Sequence, residues 1–104
     1  MARKPSAGPA SDPELLILAS LASGSKHGYA IMQDIETFSE SKLGPGTLYT
    51  AITRLVERRW IQPEAAANRQ RPYRITTAGA RHLEIQLEKM RTIASVGLRR
   101  LRFS

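Results

Sequence analysis

The sequence predicts a mainly α-helical fold with one small β-hairpin, arranged as a winged helix-turn-helix followed by a long C-terminal dimerisation helix. Three observations carry this. The first half holds three stretches with helical apolar spacing, separated by glycine-bearing breaks; a short, weakly alternating stretch with a small polar middle follows; and the end carries an apolar seam sustained for nearly three heptads. At 104 residues the chain has room for one hydrophobic core.

Residues 1–10, with Arg3, Lys4, Pro5, Gly8 and Pro9 among small residues, lack hydrophobic periodicity and read as a flexible basic arm. Ser11 stands three residues before Glu14 as a capping box, Pro13 suits an early helical position, and Leu15, Leu18, Ala19 and Ala22 follow at helical spacing until Gly24 ends the helix. A second helix starts after Ser25 and runs through Tyr29, Ile31, Ile35 and Phe38, with Asp34 and Glu36 on its wetter face. The third opens at Gly44-Pro45-Gly46-Thr47 and reaches Arg58, burying Leu48, Ile52, Leu55 and Val56. From Trp60 to Ile75 a two-stranded hairpin is expected, its tip at 65–70. Pro63 and Pro72 argue that both strands are edges, because proline cannot donate to a ladder. Thr76 or Thr77 caps the last helix, along which Leu83, Leu87, Met90, Ala94, Gly97 and Leu101 step by fours and threes. The expected domains are therefore the arm 1–10, a DNA-binding unit 11–79 and a dimerisation helix 80–104.

Charge narrows the function. Residues 1–50 carry four Lys/Arg against five Asp/Glu, whereas 51–104 carry twelve against four, and eleven of those twelve are arginine. Arginine's planar fork matches phosphate oxygens and guanine edges, so the second half is the side that meets a polyanion. The longest apolar runs fall far short of the roughly 20 residues that span a bilayer, and neither a signal peptide nor a membrane partner is expected. With no cysteine, disulfides, thiolate metal sites and cysteine nucleophiles are excluded, and a reducing cytoplasm is the expected address. No acid pair, phosphate-cradling lysine loop or Ser-His-Asp arrangement suggests an enzyme, and no cofactor or metal is expected.

The third helix is dressed for a DNA groove. Its polar side carries Thr47, Tyr49, Thr50, Thr53, Arg54 and Arg58: short groups first, arginines one and two turns later. Lys42, Thr47 and Tyr49 at the helix start are candidates to grip a phosphate, and Thr50 could meet a phosphate or a thymine methyl. Arg54 and Arg58 are placed for base edges or the far backbone. Arg69, Gln70 and Arg71, at the tip and second strand of the wing, would reach the flanking minor groove or its phosphates. Rival roles stand beside these: Tyr49 as a packing ring, Arg58 as a helix C-terminal cation, Trp60 as a core residue, and His27 and His82 as packing residues.

Three strings share the order and spacing of a known family. His27-Gly28-Tyr29, Gly46-Thr47-Leu48-Tyr49 and Tyr73-Arg74-Ile75-Thr76-Thr77-Ala78-Gly79 resemble the PadR family of transcriptional regulators, in its compact branch with a single C-terminal dimerisation helix. The likeness spans roughly residues 13–101. It departs at Thr50, where the family usually has proline, and in the short, weakly charged wing around Ala65-Ala66-Ala67-Asn68.

The resemblance implies a repressor of transcription, in some members released from DNA when a small aromatic or drug-like ligand enters the dimer region. Leu87, Met90, Ile93 and the leucines of the first helix are where such an effector would sit. The seam of the last helix, with Leu15, Leu18, Leu83, Leu87, Met90, Ala94 and Leu101, is the expected homodimer interface, since a monomer would leave it exposed. A two-fold dimer would read a palindromic operator in double-stranded DNA. The competing functions are a winged helix that binds nucleic acid without sequence preference, and a basic adaptor for an acidic protein.

Overall fold

A computed structural model describes residues 11–65 and 71–103. Four helices and a two-stranded antiparallel hairpin follow one another as α1 (Pro13–Leu21), α2 (Gly28–Phe38), α3 (Pro45–Glu57), β1 (Ile61–Pro63), β2 (Tyr73–Ile75) and α4 (Thr77–Arg102). This is the winged helix-turn-helix expected from the sequence. No helix among the described residues is long and apolar enough to cross a membrane.

Helix α1 is the hub. Leu15, Leu16, Ile17 and Leu18 are buried in succession, so the helix is covered on every side rather than along one stripe. It packs against α2, α3, α4 and β2. Its cap is Asp12 rather than Ser11: the Asp12 carboxylate accepts the Glu14 N–H at 3.1 Å, directly ahead of Pro13, whose missing N–H costs nothing at a helix start. The helix ends at Leu21, three residues short of Gly24.

Helix α2 buries Ile31 and Ile35, but Tyr29 and Phe38 are exposed, so its apolar stripe is narrower than the sequence suggests. Asp34 is not simply on a wet face. It is half-buried and accepts a 2.7 Å hydrogen bond from the hydroxyl of Ser20, a buried polar residue of α1. That bond satisfies a hydroxyl that would otherwise be costly to bury.

Helix α3 buries Leu48, Ala51, Ile52 and Leu55, and it closes without glycine. The Arg59 N–H donates to the Val56 carbonyl and the Trp60 N–H to the Leu55 carbonyl, each at 3.0 Å, the bonding pattern of a Schellman cap. Arg59 therefore takes a left-handed conformation, φ 62°, at a cost of about 1–2 kcal/mol for a residue with a Cβ.

The hairpin pairs Ile61 with Ile75, Gln62 with Arg74 and Pro63 with Tyr73. Tyr73 is also bridged on its other edge by Lys26, with reciprocal backbone bonds of 2.8 and 3.1 Å. The sheet has two strands, so both are edges as expected, but at Tyr73 the outer edge of β2 is covered by this one bridge. Pro72 sits one residue ahead of β2, where no ladder bond is asked of its nitrogen.

The start of α4 is locked to the end of α3. The Thr76 hydroxyl accepts the Gly79 N–H at 3.0 Å and donates to the Arg59 carbonyl at 2.7 Å, while the Thr76 N–H donates to the Trp60 carbonyl. A Cβ at Gly79 would collide with that same Trp60 carbonyl. The expected boundary at 79/80 falls inside this helix, which runs unbroken for 26 residues, about 39 Å. Only Gly79 and Leu83 of α4 are buried, and from Arg91 onward every residue is exposed.

Candidate nucleic-acid interface

The core side of α3 fixes what its other side presents. With Leu48, Ile52 and Leu55 turned inward, Thr50, Thr53, Arg54 and Glu57 fall at i, i+3, i+4 and i+7 on the opposite face, and all four are exposed. Thr47 and Lys42 are exposed near the helix start. Thr53 donates its hydroxyl proton to the Tyr49 carbonyl at 2.9 Å, one turn back, and its oxygen keeps its capacity to accept. Arg54 has no ion pair among the described residues. Gly44 supplies the cap position with no side-chain bond, so the first amides of α3 have no capping side chain competing for them.

Tyr49 combines both roles weighed for it. Its hydroxyl end lies against Gly28, where a Cβ would collide with the phenol, yet the residue is 49% exposed. The ring sets the approach of α2 to α3 and still offers surface to a ligand. His27 is the N-cap position of α2 and makes no side-chain capping bond.

Arg58, expected at base edges or the far backbone, is engaged within the chain. Its guanidinium forms an ion pair with Glu14 at the start of α1 and lies 5.3 Å over the Trp60 ring. An arginine held by a carboxylate and an aromatic face is a brace for α3 rather than a free reading group. A separation of 44 residues hides this pair from any local pattern. Trp60, expected in the core, packs against it while half-buried, and stacks on His82 of α4, ring centroids 3.8 Å apart. His82 thereby gains a defined role in joining α4 to the end of α3.

In the wing, Arg71 is exposed, and Arg74 lies 3.8 Å from Glu64. Arg69 and Gln70 lie outside the described residues. Glu57 was missed by sequence reasoning, which sought basic and hydroxyl groups; the helical periodicity alone could have placed it.

The residues expected at a subunit interface divide into two groups. Leu18 and Leu83 belong to the chain's own core, at 0% and 5% exposure, so they have no surface left for a partner; Leu15, at 8%, is the floor shared by the grooves on either side of α4. Leu87, Met90, Ala94 and Leu101 continue the same helical face outward, together with Ile93 and Leu98. Ile93 and Leu101 are 73% and 76% exposed. One groove beside this face, between α1, the end of α3 and α4, is lined by Leu15, Trp60, His82, Met90 and Ile93.

The sequence profile of the transcriptional regulator PadR-like family matches residues 17–85. An uncharacterised 37.1 kDa protein in transposon TN4556 of Streptomyces fradiae is 43% identical over 79 residues, covering 76% of this chain. This chain spans only 23% of that relative's length. Among solved structures, a PadR family transcription regulator from Clostridium difficile superposes with a TM-score of 0.73 at 28% identity, covering 86% of this chain and 94% of that one. A transcriptional regulator from Clostridium thermocellum gives a TM-score of 0.70 at 28% identity, covering 81% and 84%.

Proposed function

The chain belongs to the transcriptional regulator PadR-like family, and from that premise we propose that it is a homodimeric repressor reading a palindromic operator. Helix α3 enters the major groove. Lys42, Thr47 and the Tyr49 hydroxyl take phosphates, Thr50 and Thr53 line the helix–groove contact, and Arg54 reaches a base edge. Arg71 holds the flanking backbone or minor groove, with Arg69 and Gln70 assigned to the same task. Arg58 acts through Glu14 and Trp60 to hold the helix at its angle. The observation that carries the reading is the outward face of α3: Arg54 is left unpaired among the described residues, whereas Arg58 beside it is engaged within the chain.

The second copy covers the outer face of α4, formed by Leu87, Met90, Ala94 and Leu101, with Leu15 at its inner edge. An apolar stripe of that length on a monomer is an association surface. A small aromatic or drug-like effector would sit in the groove bounded by Leu15, Trp60, Met90 and Ile93, where it would bear on both α4 and the end of α3. The protein works where its DNA is, in the cytoplasm.

Selection of bound sequences from a random DNA pool at near-physiological salt, with the mass in solution recorded alongside, tests this. A palindromic motif with half-sites about one helical turn apart and a dimer mass are expected. Affinity should fall steeply with salt, with a log–log slope of several units. Arg54→Ala should weaken the selected site by about 1–3 kcal/mol. A flat salt response would sink the electrostatic reading, and a bound pool without a motif would turn it into a non-specific architectural role.

A further inference from the structure

We infer that Glu57 determines specificity on α3: its carboxylate accepts a hydrogen bond from the exocyclic amine of one base and weakens attachment to DNA of other sequence. The inference rests on the reading of α3 as the groove-entering helix. Glu57 shares the outward face with Thr50, Thr53 and Arg54 and is exposed. Three arginines stand close to it in sequence, yet it has no ion pair among the described residues. Arg58 is taken by Glu14, and Arg59 is turned out of the helix by its left-handed backbone. Arg54, one turn earlier, does not pair with it, and an acid following a base along the helix is the less favourable order.

Among the described residues the fold gives Glu57 no other task. It is not buried, caps nothing, and stands in the last turn, where the helix dipole disfavours negative charge. Facing DNA, a carboxylate is repelled by phosphates everywhere except where it meets a base donor. In the major groove those donors are the cytosine N4 amine, the usual partner of Glu, and the adenine N6 amine. An unpaired acid beside an unpaired arginine therefore reads two neighbouring base pairs with opposite chemistry, and it discriminates by repulsion at the wrong site as much as by bonding at the right one.

The test compares motif selection and random-sequence DNA affinity for the wild-type chain, Glu57→Ala and Glu57→Gln. Circular dichroism and solution mass verify that the exposed substitutions leave the fold intact. If the inference holds, Glu57→Ala keeps the motif but loses about fivefold or more in preference at a single base pair of each half-site. Glu57→Gln moves that preference toward adenine, and both variants bind random DNA about two- to fivefold more tightly. Superimposable motifs and unchanged random-DNA affinity in all three chains overturn the inference while leaving the parent reading intact. Failure of the wild-type chain to enrich any motif overturns the parent reading, and the inference with it.

Discussion

The two ends of α4 are built to different rules. At its start, Thr76 makes four hydrogen bonds to the end of α3 and to its own first turn, Gly79 leaves no room for a Cβ, and Trp60 stacks on His82. At its far end, from Arg91 onward, no residue is buried, and Ile93, Leu98 and Leu101 stand in solvent. The near end is specified by one chain. The far end carries the amphipathic pattern of a packed helix with none of it buried among the described residues, which is the pattern expected of a surface that meets another molecule. One continuous helix thus joins the winged helix-turn-helix to an exposed apolar face, the one proposed above for a second copy.

Four variants break or sharpen that contrast. The largest expected effect is at the locked end: Gly79→Ala should cost about 2–3 kcal/mol in a denaturant titration, because the new methyl meets a backbone carbonyl that cannot step aside. This loss should appear even though alanine is favoured over glycine inside a helix by about 1 kcal/mol. Next, Ile93→Asp with Leu101→Asp should weaken self-association by tenfold or more in sedimentation, while a dilute sample keeps its helical spectrum. A dimer unaffected by both charges would show that the outer face is not the subunit contact. Thr76→Val should then cost about 1 kcal/mol through the lost cap and the unpaired Arg59 carbonyl. The smallest effect belongs to Glu14→Gln. Its ion pair with Arg58 is partly exposed and worth about 0.2–1 kcal/mol at most, so stability should barely move, while the affinity for a selected operator falls if Arg58 braces α3.

The order and approximate limits of the helices were legible because α2, α3 and α4 have a periodic apolar face and α1, α3 and α4 a local start signal, as at Pro13, Pro45 and Thr76. The family strings were legible too, and the structure gives two of them a physical meaning. The glycine of His27-Gly28-Tyr29 and the tyrosine of Gly46-Thr47-Leu48-Tyr49 are two halves of one contact. What stayed hidden falls into two kinds. Lys26 joins the wing through a single bridging residue, which has no periodicity, and Arg59 ends α3 at a position where glycine is the usual signal. The Arg58–Glu14 pair and the Trp60–His82 stack join residues far apart in the chain. In the candidate site, the threonines and Arg54 could be named from charge and spacing. Glu57 lies on the same face by the same spacing, but a search for groups that attract DNA passes over one that repels it.

The Trp60–His82 stack has one more consequence. This is the chain's single tryptophan, stacked on a histidine of α4 and in contact with the arginine that caps α3. Its emission is therefore a native optical gauge of that joint. A shift in angle between α3 and α4, whether driven by an operator, a second copy or a guest in the adjoining groove, would register as a change in intensity or wavelength without any attached dye.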